Sequence, residues 1–582
     1  MMTSEQRPSP FRMPERLFAE LAAGGGSAEA VAFLEQGERA RRLLLLRTLL
    51  DHLDALPTPL TPAAEAWRVL KEAAERAPEP VERLLLAPTT GGWMAHMLRR
   101  VHGTATGPPQ WAEAGHLCAL AVTAALHAGT ETVLRVPLTD GGLMLPGLGM
   151  ARLGDAGRDG GLTVGQACTG RGELTLTGAG RGGGTTSLTI RPTTAPLPIG
   201  GGQPAAEDSG PVGPASSWLP LRTLTHPGPA GPVAIPLDDL DPYRDLDDPV
   251  PPARLEGAEA RAWQRLFEEA VAVLAVPGGT GPGRIDPAAI RSVVPWGRTS
   301  TAPPAPPAVL VSASSGDSFG AMVIARPSRA LALAETLVHE FQHSKLAALL
   351  HLFPLLDDDR AERYYAPWRP DPRHLTGLLH GAYAFTGVAG FWRDRLAGAR
   401  DDRSADEAGY HFALRRLQSR LVVRTLLVEG RLTAQGRALV SALARTLDGW
   451  LLEPVPPAAR TRARAAAALH RTEWRLRNVL PAPDATDAAG TPRFRPDRTS
   501  WPDVRTHAFA TPAAHPRTAD EHLAAGNPAA ALAAYADELA ADPAEPHALA
   551  GSIVARAALG PDRASRRVLA RPELLRQPLP SG

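Results

Sequence analysis

Hydrophobic positions along this chain change period as the sequence runs, and each change sets an expected boundary. Residues 11–128 place apolar side chains at helical spacing, from Leu17 and Leu21 through Leu43-Leu44-Leu45-Leu46 to a last run over 110–127, with short Gly and Pro breaks. After Gly129 the period falls to two, in runs such as Thr132-Val133-Leu134-Arg135-Val136 and Glu173-Leu174-Thr175-Leu176-Thr177, which predicts a small antiparallel sheet. Residues 192–252 are rich in Pro, Gly and Asp and predict irregular connection, with Asp241, Arg244, Asp245, Asp247 and Asp248 on a solvated surface. Helical spacing returns with Trp263, Leu266, Phe267, Ala270, Val271 and Leu274, and strands are expected at 308–311 and 322–324. Further helices are expected over 374–396, from a Ser404 and Glu407 capping box to near Gly430, and over 433–451. The chain reads as α+β, mainly helical with a small antiparallel β region. Its expected divisions are a helical region 1–128, a Gly/Pro-rich β region 129–255, a helical domain 256–480, a linker 481–518 and a helical tail 519–582.

One helix carries chemistry. Ala330, Leu331, Ala334, Leu337, Val338, Phe341, Leu346, Leu349 and Leu350 keep helical spacing, and no proline falls between Pro327 and Pro354. On that helix His339-Glu340-Phe341-Gln342-His343 is an HExxH motif. Residues four apart share a helix face, so both imidazoles can reach one metal ion with Glu340 beside it. Two candidates exist for a third ligand. Glu362 follows His343 by 19 residues, a separation used by zinc peptidases, but Asp357-Asp358-Asp359-Arg360 precedes it and suits a surface charge. His380 sits among Leu378, Leu379 and Ala382, where a buried imidazole needs a partner, and it is the favoured candidate. His116 and Cys118 fit no metal spacing and read as core filling, while the GxGxxG match at 178–183 leads into a strand and reads as a hairpin turn.

Composition narrows the partners. With 62 Lys and Arg against 61 Asp and Glu, the formal charge of +1 gives no electrostatic reason to expect nucleic acid or an anionic membrane. Two cysteines exclude a disulfide framework and a four-cysteine zinc ribbon. No apolar run is long enough to span a bilayer, and the polar first residues lack a secretory core, so a cytoplasmic protein is expected. The arginines at 460, 462, 464, 471, 475 and 477 are expected on a solvated helix face.

The run 337–346, together with Tyr364-Tyr365-Ala366-Pro367-Trp368-Arg369 and Gly377-Leu378-Leu379-His380-Gly381-Ala382-Tyr383-Ala384-Phe385, resembles the HExxH-motif proteins of peptide natural-product (RiPP) clusters. The resemblance covers residues 308–451. It implies an Fe(II)- and 2-oxoglutarate-dependent hydroxylase acting at the β-carbon of a residue in a ribosomal precursor peptide. His339, His343 and His380 would then hold the iron, a departure from the usual pair of histidines with one carboxylate, and would leave room for a chelating oxoacid and dioxygen. Arg369 is the candidate for the far carboxylate of 2-oxoglutarate, with Arg373 and Lys345 as rivals and Tyr365 as a nearby hydroxyl. Two other readings use the same helix: a zinc metallopeptidase with Glu340 as general base, and a non-catalytic binding protein that keeps the metal fold. Residues 522–528 and 531–535 also resemble one tetratricopeptide unit, which alone makes no solenoid and is expected to cap another helical surface or to dock a partner such as other maturation proteins.

Overall fold

A computed structural model describes residues 12–153, 161–180, 184–192, 197–199, 218–228, 231–246, 248–275, 280–296, 312–480, 494, 506–560 and 562–576. The strand expected at 308–311, the middle of the GxGxxG loop and most of the linker lie outside these residues. The architecture is mixed α+β, and its apolar interior forms two cores.

The first core gathers around the helix His116–Ala128, whose residues 116–126 are all buried and which stops at Gly129 with φ +64°. Leu134, Val136 and Leu138 alternate along the strand Thr132–Thr139 and point onto it. That strand belongs to a seven-stranded sheet in which every pairing is antiparallel. Its tight hairpins occur where Asp140-Gly141 and Arg171-Gly172 take positive φ at both turn residues, the conformation that matches strand twist. His116 is core filling as expected: burial lowers its pKa to about 3, and it packs against Trp93 and Tyr243.

A second sheet has six strands, more than the two expected at 308–311 and 322–324, and part of it is parallel. The strand Gly231–Leu237 runs parallel to Ser292–Trp296, and Ser292–Trp296 runs parallel to Ala321–Ala325. The connection between the first pair contains the helix Gly257–Leu274, the kind of crossover that parallel pairing requires. Strands on both sides of residue 255 therefore share one sheet, so the expected division there cuts through it. Ser312–Ala313 forms its edge, antiparallel to Ala321–Ala325.

Helices cover this sheet. The motif helix Ala330–Leu352 touches Gly257–Leu274 and the second helix Leu375–Ala397, which lies along the third, Asp402–Val428. The third helix is capped by Asp401, which accepts from Ser404 N at 2.9 Å, and not by Ser404; Glu407 instead pairs with Arg329. The first helix, Glu15–Ala22, belongs to the same core, with Leu17, Leu21 and Ala22 buried there.

The acidic segment near 241 is a correction. Asp241 and Arg244 are buried, because each carboxylate satisfies its own turn: Asp238 accepts from Leu240 N and Asp241 N, and Asp241 accepts from Tyr243 N. The arginine helix Pro457–Asn478 is a second correction. Arg462 pairs with Asp406, Arg475 with Glu573 and Arg477 with Glu473, leaving Arg460, Arg464 and Arg471 exposed.

The tail helices dock on that helix through His547, whose ring nitrogens lie 2.8 Å from Glu473 and 2.8 Å from Asp520. Burial alone would lower its pKa, but the two carboxylates outweigh burial and raise it to about 9. A raised folded pKa means the stabilisation is complete below the ordinary histidine value and fades as pH climbs through 9. Tail docking should weaken by on the order of 3 kcal/mol between pH 6 and pH 10. Hydrogen-exchange protection over residues 519–560, referred to the intrinsic exchange rate at each pH, should fall across that range, and His547→Gln should remove that fall.

Candidate metal centre

Three imidazoles meet between the motif helix and the second helix. His339 and His343 lie on one face of the motif helix, with Nε2 atoms 3.1 Å apart, and His343 Nδ1 lies 3.3 Å from His380 Nδ1. The His343 and His380 rings are stacked at 30°, with centroids 5.5 Å apart. Each ring is partly exposed. Their surroundings are otherwise dry: desolvation holds His343 at about 4, His380 at about 3 and His339 well below the ordinary value. All three are neutral at pH 7, the state in which an imidazole offers a lone pair to a metal.

The fit to one ion can be tested on these distances. Ligand nitrogens about 2.0–2.1 Å from a shared ion sit roughly 3 Å from each other, which the His339 and His343 pair satisfies. His380 meets the opposite nitrogen of His343. As the rings stand, no group of three or more His, Cys, Asp or Glu side chains among the described residues is arranged around one point. Three nitrogens do not converge in this arrangement, because His343 meets His339 through Nε2 and His380 through Nδ1. The donor set suits a borderline divalent ion such as Fe(II) or Zn(II).

Packing fixes the helices that bring these rings together. Gly381, next to His380, lets the Trp368 indole approach so closely that an added Cβ would lie 2.2 Å from it. Trp368 packs on Phe385, and Phe385 packs edge-on to His339. On the opposite face of the motif helix, Gln342 Nε2 donates to Gly24 O at 2.8 Å and Lys345 Nζ donates to Gly25 O at 2.7 Å. Tyr383 of the second helix donates to Leu21 O at 2.7 Å. The carbonyls at the C-terminus of the first helix are thus held by both metal-site helices, a favourable place for a cation.

The other expected residues fall as follows. Glu340 is buried beside Ser312 and Ser314 at the sheet edge; burial raises its pKa, the two serines partly offset this, and Oε2 has no hydrogen-bond partner. Glu362 is exposed on the connection between the two helices. Arg369 is exposed, with Nε donating to Asp371 at 3.0 Å, and Arg373 donates to the same carboxylate. Tyr365 is engaged with His470, 2.8 Å away, and packs on Trp474. Lys345, its pKa lowered to about 7 by burial, is committed to the first helix. None of the hydrogen bonds just described for Arg369, Arg373, Tyr365 and Lys345 reaches the imidazoles.

A residue not singled out in the sequence stands closer. Arg415, on the third helix, places its guanidinium 4.6 Å from the Phe385 ring centre, and its charge helps lower the pKa of His339. One turn earlier, His411 stacks on Trp392 at 4.3 Å. The visible signal was the spacing of His411 and Arg415 by four, which puts both on one helix face.

No protein-family model matches the chain, and no curated protein matches it.

Proposed function

We propose that the protein is an Fe(II)- and 2-oxoglutarate-dependent β-hydroxylase of a ribosomal precursor peptide. The observation that carries this reading is the meeting of three uncharged, partly accessible imidazoles, His339, His343 and His380. Iron held there would supply the oxidising chemistry, with open positions for an oxoacid and dioxygen. The protein's own part is to keep three lone pairs available by desolvation and to hold the rings in place through Phe385 and Trp368. In this reading the peptide is met in the cytoplasm and the tail is open to other maturation proteins. The exposure of Glu362 removes support from a site of two histidines and one glutamate, so the zinc peptidase reading is the weaker one.

The test is anaerobic loading with Fe(II) followed by 2-oxoglutarate. The hydroxylase should develop the charge-transfer absorption of a metal–oxoacid chelate. Cleavage of a peptide by the zinc-loaded protein without oxygen would replace the proposal with the peptidase. Glu340→Gln divides the two as well. Loss of a general base should cost a peptidase about 100-fold to 10,000-fold, whereas hydroxylation should stay within roughly tenfold of the unmodified protein.

A further inference from the structure

The partly exposed surface around the imidazoles continues toward the third helix. Along the second helix from Gly381 to Trp392, Phe385 alone keeps partial exposure. His411 and Arg415 also keep it on the third helix, as does Glu335 one turn before His339. Phe385 joins the two ends of this surface, with His339 4.8 Å from its ring centre and the Arg415 guanidinium 4.6 Å from it.

Two nitrogens at the far end are buried and have no hydrogen-bond partner: Arg415 Nε and His411 Nδ1. Arg415 donates through one amino group to Gln418 Oε1 at 3.1 Å, a neutral acceptor. Glu335 feels the charge of Arg415, yet among the described residues no carboxylate forms an ion pair with that arginine. A half-buried guanidinium that feels Glu335 but makes no ion pair with it or with another described carboxylate keeps its planar fork available to a carboxylate guest. The charge balance points the same way. Three neutral imidazoles leave the charge of a divalent ion unneutralised, so a site of this composition favours an anionic guest spanning ion and arginine.

We infer that Arg415, supported by His411, anchors the far carboxylate of a dicarboxylic 2-oxoacid whose oxoacid end faces His339, His343 and His380. This rests on the hydroxylase reading and transfers to Arg415 the role expected of Arg369. The arginine is a binding residue, and Phe385 is the wall between its site and the metal.

The experiment measures binding without turnover. Fe(II)-loaded protein under argon is titrated with 2-oxoglutarate and with pyruvate, which has the same chelating end and no far carboxylate. Unmodified protein should bind 2-oxoglutarate at least about tenfold more tightly than pyruvate, the margin expected of a charge-assisted bidentate contact. Arg415→Met should bring 2-oxoglutarate down to the pyruvate level and leave pyruvate unchanged, and Arg415→Lys should recover part of the difference. An unchanged ratio in Arg415→Met would overturn the assignment. Metal-free protein is titrated in parallel with succinate, read by tryptophan fluorescence, because Trp392 stacks on His411. Should neither oxoacid bind the iron-loaded protein, the hydroxylase reading fails. Succinate then decides the anchor: binding that Arg415→Met abolishes supports it, and no binding to the unmodified protein overturns it.

Discussion

Replacing His343 with alanine should abolish iron retention while leaving the fold intact. His343 is the middle ring of the three, touching His339 through Nε2 and His380 through Nδ1, so its loss separates the remaining pair as well as removing a ligand. One imidazole of a small ligand set accounts for roughly 3–4 kcal/mol of metal affinity, so retention should fall by a few hundredfold, on the order of 150-fold to 800-fold. Hydroxylation should fall with it to background. The helix itself should survive, since alanine has the higher helix propensity and the buried face is carried by Leu337, Val338, Phe341 and Leu346. Equilibrium dialysis against Fe(II), with circular dichroism as the fold control, checks both parts.

Gly381→Val should be the most damaging substitution beside the ligands. In an ordinary helix, replacing glycine gains up to about 1 kcal/mol. Here a Cβ would lie 2.2, 2.5 and 2.7 Å from three atoms of the Trp368 ring, far inside contact distance. The indole has little room to retreat because Phe385 packs on it, and Phe385 in turn touches His339. Overpacking of this kind costs about 1–3 kcal/mol and should lower the melting temperature by a few degrees. The displacement also moves His380 and Phe385, so iron affinity should drop by at least tenfold. A melting curve and a metal titration on the same sample measure the two effects, and a variant that binds iron normally would show that Trp368 does not position the site.

Much of the candidate site was legible because its geometry is local. His339 and His343 lie one helical turn apart, and the apolar stripe that buries their helix is written in Leu337, Val338 and Phe341. His380 was legible as an imidazole in a run of Leu and Ala. What escaped depends on partners far along the chain. Lys345 looks like a free cation in the sequence, and its acceptor is a carbonyl at Gly25, 320 residues away. Arg369 and Arg415 are equally plausible anions' partners by type, and only folding shows that Asp371 engages the first while Phe385 brings the second beside His339. The aspartate at 241 looks solvated in the sequence, and only folding shows it buried in a turn where its Oδ1 accepts from Tyr243 N, a backbone partner that no composition rule counts. Parallel pairing in the second sheet was hidden for a similar reason, since a crossover helix leaves the strand pattern short and nearly all apolar.

Iron K-edge absorption fine structure of the anaerobic, Fe(II)-loaded protein tests the central claim most directly. Three imidazoles at about 2.1 Å, falling to two in His380→Ala, is the expected result. A spectrum that needs no more than two imidazoles and does not change in His380→Ala would contradict it.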